Sequence, residues 1–245
     1  SVNNVWEILK IIVDSTKEKA NLYIELYIKI IQICYKCELY ENGLDCIKIL
    51  ESNSKIEFPS FYIYKCLFLS ALDKHNDSII VACSMLTTWE SDFRVKLNAK
   101  IIMLNNFRSL NNKAQCYSIG KEIEGTNKYK EYPEYGYFLR LSCFYLDRKE
   151  SIEKVKCSID FFNETNEVIQ EGKSLITYSN HLALAGKLKE AKRALVKAEK
   201  KLKNSKFGRH MLLVNKSAIL LLDNDFSDEV WDILEQAEFS AVVRF

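Results

Sequence analysis

Glu171-Gly172-Lys173-Ser174 carries the Gly-Lys-Ser of a phosphate-binding loop. In such a loop, backbone N–H groups cradle phosphates and the lysine reaches their outer oxygens. The full motif requires a glycine five residues before Gly172, and position 167 is Glu. No strand pattern precedes it, and the segment reads as amphipathic helix, which consumes the N–H groups a phosphate needs. Cys34 and Cys37 form a Cys-x-x-Cys. Zinc takes four ligands, and no second pair or nearby histidine supplies the rest. The strand context of a redox Cys-x-x-Cys is also missing, so the two read as core cysteines one helical turn apart. His75, His181 and His210 lie far apart, none with another histidine three or four positions away. His181 and His210 fall on successive outgoing helices, where two imidazoles could meet. No serine sits in a glycine elbow. These residues predict no catalytic, metal or cofactor site and a chain that is not an enzyme.

The strongest charge feature is the basic run 187–209. Lys189, Arg193, Lys197, Lys200 and Lys201 share one helical face, opposite a stripe of Leu and Ala, with Glu190 and Glu199 as the acids between them. Such a face suits nucleic acid or an acidic protein surface. The aromatic residues that stack on bases are absent from it. A solvated outer helix is the plainer reading.

These residues sit in a chain whose composition calls for helices. Its 245 residues include only 7 Gly and 2 Pro, far below average usage, and strand-and-turn architectures need both at their tight turns. The formal net charge of +2 provides no global field toward nucleic acid or membrane. Eight cysteines are scattered, most on apolar faces, where a thiol acts as a small hydrophobe. They predict a reducing, cytoplasmic setting. No apolar run approaches the ~18 residues of a membrane span, which predicts no membrane partner. The chain lacks an initiating Met and ends on Val242-Val243-Arg244-Phe245. Solenoids end on capping units with a polar outer face, so this end predicts a piece of a longer protein.

Apolar residues recur at helical period along the whole length. The pattern predicts a short helix over 5–13, a long one over 17–38 and its return over 41–51. Further pairs follow at 61–72 with 78–89, 92–107 with 113–123, and 135–146 with 151–162. The last two pairs cover 175–202, turning at Gly186, and 209–222 with 228–238. Pro59 and Pro133 suit helix starts, and Asn111 or Asn112 suits a cap. The polar, lysine-rich stretch 125–132 is the longest break and predicts a bend between halves. Gly43, Ile79, Ala114, Val155, Ala191 and Val230 open the return helices, at spacings of 36, 35, 41, 36 and 39 residues. A helix–turn–helix period of this size marks a solenoid.

The pair 175–202 resembles the tetratricopeptide repeat (TPR). Leu175, Tyr178, Ser179, Leu182, Gly186, Ala191, Leu195 and Ala198 occupy its bulky, aromatic and small slots. Val214, Ser217, Ala218, Leu221, Val230, Leu234 and Ala237 match less fully in the final pair. Earlier pairs keep the period but lose the small residues, as at Ile31 and Leu67. The resemblance implies an all-α fold, a right-handed α-solenoid of about six TPR-like helix pairs after a short N-terminal helix. In style the chain is similar to the sensor arms of bacterial STAND-type ATPases, relatives of NOD-like receptors, some of which sense phage proteins.

The resemblance also implies a non-catalytic protein-recognition module with a concave groove lined by the first helix of each pair. Carried over slot by slot, that groove holds Tyr64, Lys65 and Phe68, then Lys96, Lys100 and Asn106. Tyr137, Arg140, Phe144 and Arg148 follow, then Lys173, Thr177 and Asn180, then Asn215, Lys216 and Ile219. Aromatic rings mixed with Arg, Lys and Asn suit a protein or peptide partner. Cochaperone TPR domains clamp a C-terminal carboxylate; Asn180 and Lys216 echo that set, and its other members are missing. Nucleic-acid binding through 189–201 is the alternative.

Overall fold

The computed structural model describes residues 2–53, 58–203, 205–223 and 228–242. Among them the chain forms helices and no strand. The helix α1 (Val2–Thr16) leads through a 3-10 segment, Lys17–Tyr23, into α2 (Ile24–Lys36) and α3 (Tyr40–Asn53). Then come α4 (Pro59–Ala71), α5 (His75–Thr88), α6 (Phe93–Ser109) and α7 (Lys113–Glu124). A second 3-10 segment, Asn127–Glu131, precedes α8 (Glu134–Ser142) and α9 (Arg148–Glu164). Finally come α10 (Val168–Leu184), α11 (Leu188–Leu202), α12 (Lys206–Leu222) and α13 (Asp228–Val242). After α1 these are six helix pairs, and within each of two units every helix packs on its neighbours in sequence, as in an all-α solenoid. The chain divides into two compact units, Ser1–Tyr129 and Lys130–Phe245.

The turns have a common chemistry. Glu38, Asp73, Asn111, Asn166 and Gly186 all take positive φ, between 54° and 76°. In each case the next residue's N–H donates to the carbonyl five residues back: Leu39 to Cys34, Lys74 to Leu69, Asn112 to Phe107, Glu167 to Phe162, Lys187 to Leu182. This is the bond of a Schellman turn, which satisfies carbonyls that the helix end would orphan. Side chains cap the starts of α6 at Asp92, α7 at Asn112, α9 at Asp147 and α12 at Ser205, and of these Asn112 follows a left-handed turn. Asn112 is thus the cap, while Asn111 supplies the left-handed residue.

Small side chains set how closely helices approach. A Cβ on Gly136 would stand 2.6 Å from Phe162 Cζ, and one on Gly172 would stand 2.6 Å from Leu202 Cγ. Buried hydroxyls bridge the same contacts. Ser158 donates to the Gly136 carbonyl at 2.9 Å, and Ser179 donates to the Ala191 carbonyl at 2.8 Å. In the first unit, one apolar core runs from Leu9 to Leu69 and includes Tyr27, Ile31, Leu50, Phe61 and Phe68. In the second, Leu175, Ile176, Leu182, Ala191, Leu195, Ala198 and Leu202 form the centre.

Several boundaries differ from the periodic pattern: α10 starts at Val168, seven residues before the expected 175, α1 extends beyond 5–13 at both ends, and two further differences have a local cause. The expected helix over 17–38 breaks: Lys17–Tyr23 is 3-10, with Lys19 at φ −123° and ψ 27°. Thr16 Oγ1 bonds back to the Ile12 carbonyl at 2.7 Å, and Tyr27 Oη reaches the Val13 carbonyl at 3.4 Å. The chain must turn there for α1 to pack on α2. Over two turns, a 3-10 segment carries nearly the same apolar period as an α-helix. The expected helix over 135–146 stops at Ser142. Ser151 from α9 donates to the Cys143 carbonyl at 2.7 Å, taking an acceptor that a longer α8 would have used. Pro133 is accordingly the cap residue of α8.

Candidate partner-binding surface

In the first unit, neighbours take up the expected groove residues. Tyr64 packs edge-on against Tyr35 at 5.6 Å and beside Phe68 at 6.3 Å. Lys65 pairs with Glu51 of α3 at 2.6 Å. Lys96 lies 5.2 Å over the Phe93 ring and donates to the Glu90 carbonyl at 3.1 Å, and Lys100 pairs with Glu122 of α7. Two expectations are corrected. Phe68 is fully buried, its ring packed where Gly43 lacks a side chain. Asn106 is also fully buried and joins three helices. Its Nδ2 donates to the Ile102 carbonyl at 2.9 Å and to Ser78 Oγ at 3.0 Å, which turns Oδ1 toward His75 Nδ1 at 2.8 Å and Ser70 Oγ at 2.9 Å. That orientation makes Nδ1 the protonated nitrogen of His75.

The second unit gathers a different cluster. Arg140, on α8, lies 5.5 Å over the Tyr137 ring and 6.0 Å over Phe162. Its Nη1 donates to the Gln170 carbonyl and to Gln170 Oε1, at 3.4 and 3.3 Å, and Nη2 donates to Oε1 at 3.4 Å. Among the described residues no carboxylate pairs with it. Burial pushes the Arg140 guanidinium below its ordinary range. Lys173, on α10, is half-buried, and burial, then the charge of Arg140, pulls its ammonium down as well. Burial raises the Tyr137 phenol, partly offset by Arg140. One turn on, the Phe144 ring is 47 % exposed and meets His181 edge-on at 6.3 Å. Burial, then the Arg148 charge, lowers the His181 imidazole. Gln170, Phe162 and His181 complete this cluster although no repeat slot names them. The one hint in the sequence is that Gln170 stands one turn before Lys173 on the same helix.

The remaining expected residues are more local. Thr177 Oγ1 donates to the Lys173 carbonyl at 3.2 Å, Asn180 is half-buried, and Asn215 Nδ2 donates to the Met211 carbonyl at 2.6 Å. Lys216 borders a cavity between α11 and α12. Ile219 is corrected to the core. On the basic face, Lys189, Arg193, Lys197 and Lys200 are exposed. Lys201 is corrected: it pairs at 2.7 Å with Glu171, itself buried on α10.

The chemical motifs resolve into structure. Glu171-Gly172-Lys173-Ser174 is the interior of α10, with Ser174 Oγ 2.9 Å from Ser158 Oγ. Cys34 shares a hydrogen bond with Cys46 of α3, which lowers the Cys34 thiol; the same bond, together with burial, raises the Cys46 thiol. All eight cysteines are thiols, none in a disulfide. His181 meets Phe144, whereas His210 Nδ1 lies 3.1 Å from the Ala237 carbonyl. Among the described residues no helix is long and apolar enough to cross a membrane, and no group of three His, Cys, Asp or Glu is placed to hold a metal. Compared with known proteins, the chain matches no protein-family model, and no curated protein matches it in sequence.

Proposed function

We propose that the chain is a diverged TPR-like array that recognises a protein or peptide partner through the first-helix face of its pairs. The observation that carries this reading is Arg140: a partly buried guanidinium, stacked on aromatic rings and bonded to a neutral amide. Withdrawing a cation even partly from water without an opposite charge costs stability. An incoming carboxylate would offset that, since guanidinium accepts it bidentately. Lys173 adds a second cation close by, and exposed Phe144 offers a ring as apolar anchor. Arginine and aromatic residues of this kind dominate the energetics of protein interfaces.

Peptides selected from a displayed random library on the whole chain test this. Arg140→Gln and Phe144→Ala should each weaken the selected peptides about tenfold or more, with helicity by circular dichroism unchanged. Peptides indifferent to both variants would refute the reading. A further proposal, supported by similarity of style to STAND-type sensor arms, is that the array senses a ligand for a nucleotide-driven switch. A parent gene without a nucleotide-binding loop would remove it. Nucleic-acid binding through Lys189, Arg193, Lys197 and Lys200 stands second, supported by their exposure at helical-turn spacing. A steep fall of oligonucleotide affinity with salt would favour it.

A further inference from the structure

Helices of one pair meet at residues twelve apart in sequence. Where α4 meets α5, Ser78 Oγ donates to the Cys66 carbonyl at 3.0 Å, and Cys66 Sγ donates to the Ser78 carbonyl at 3.6 Å. Where α6 meets α7, Cys116 Sγ donates to the Leu104 carbonyl at 3.6 Å. Where α10 meets α11, Ser179 Oγ donates to the Ala191 carbonyl at 2.8 Å. At each crossing a side chain of only two heavy atoms reaches the opposite backbone.

The first pair puts a cysteine on both sides of the same crossing. Cys34 on α2 and Cys46 on α3 stand at the register that Cys66 and Ser78 occupy in the next pair. Both are fully buried in one apolar core, and their thiols share a hydrogen bond. A disulfide needs Cα atoms about 4.4–6.8 Å apart, and reciprocal bonds like those of Cys66 and Ser78 hold two backbones about this close. The bond between the thiols also divides their roles. It lowers the Cys34 thiol against the effect of burial, and together with burial it raises the Cys46 thiol. Cys34 is thus the readier thiolate, the form that acts as nucleophile, and Cys46 keeps its proton.

We propose that Cys34 and Cys46 form an oxidisable pair, which hydrogen peroxide joins into a disulfide that clamps α2 to α3. Cys34 Sγ attacks one peroxide oxygen, the O–O bond breaks, and the departing hydroxide leaves as water with the proton Cys34 gave up. Cys46 Sγ then attacks the sulfenic sulfur of Cys34. The S–O bond breaks, and the oxygen leaves as a second water with the Cys46 proton. The two thiols lose two electrons, which the peroxide takes up. Burial selects a small oxidant, since a packed core admits little beyond water-sized molecules even when it opens locally. The clamp lies beside the aromatic cluster of the first unit: Tyr35 packs on Tyr64 and Phe68, and Gly43, one turn before Cys46, makes room for the Phe68 ring. The pair shares no residue with the Arg140 cluster and stands independently of it.

The test treats the whole chain, with its exposed thiols removed by Cys83→Ser and Cys157→Ser, with hydrogen peroxide at neutral pH. The remaining thiols are alkylated, and cleavage after Lys36, Glu38 and Glu41 separates Cys34, Cys37 and Cys46 onto different peptides. Mass spectrometry is expected to find Cys34 joined to Cys46, reversibly with dithiothreitol. The oxidised chain should unfold at a urea midpoint about 0.5–1 M above the reduced one, because the link restrains the unfolded state. Cys46→Ala should remove both the link and the rise, and Cys37→Ser should leave both. The peptide mapping changes neither core cysteine, so it decides even if Cys46→Ala fails to fold. A Cys34–Cys37 link, sulfinic or sulfonic acids in place of the disulfide, thiols left reduced by peroxide, a link that forms only in urea, or an unchanged midpoint would each overturn the proposal.

Discussion

At Glu38 the backbone takes φ 60°, in the place where other turns use Asp73, Asn111, Asn166 and Gly186. The left-handed conformation brings Cβ against the following carbonyl, at about 1 kcal/mol or more for most residues. Asn and Asp ease this with short polar side chains that bond locally, and Gly has no Cβ to clash. Glutamate has neither advantage. Glu38→Gly should therefore raise stability by about 1 kcal/mol, read as a higher urea midpoint with unchanged slope; an unchanged or lower midpoint would show that the turn carries no such strain. Only the glycine among these turns was legible in the sequence. The others are ordinary polar residues between apolar stripes, and their φ depends on where the next helix begins. The same holds for Lys201, which shares a helical face with solvated lysines yet pairs with Glu171 from another helix.

Between elements, the first unit is joined by polar groups as well as apolar ones. Asn106 of α6 holds Ser70 of α4 and His75 and Ser78 of α5, with all its amide positions satisfied. Replacing it with a leucine of similar volume would strand buried partners, and each stranded group destabilises by about 1–3 kcal/mol. Asn106→Leu should lower stability by about 2–3 kcal/mol in urea unfolding, while Asn105→Leu, on a half-buried neighbour, should change it much less. Equal effects would remove the network's special role. The repeat slots assign Asn106 to a groove beside Lys96 and Lys100. The structure turns it inward, onto Ser70, His75 and Ser78.

At the level of the whole molecule, each unit contains its own cores, and the Arg140 cluster and the basic face of α11 both belong to the second. Solenoid stability is nearly a sum of repeat and neighbour terms. The segment 130–245 produced alone should therefore keep a helical circular-dichroism spectrum, melt cooperatively and bind the peptides that depend on Arg140 and Phe144 as the whole chain does. An unfolded segment would show that the second unit depends on the first.

The all-α class, the succession of helix pairs and the places of their turns were legible in the sequence, because apolar period, Gly and Pro usage and caps act within a few residues of one another. Which polar groups are taken up depends on packing between helices distant in sequence. Lys65, Lys100 and Lys201 meet acids 14, 22 and 30 residues away, and Phe68 fills the space Gly43 leaves. Arg140 meets Gln170 at a separation of 30 and keeps no acid. Such pairings depend on how closely neighbouring helices approach, which Gly136, Gly172 and Gly208 set and which local periodicity does not encode.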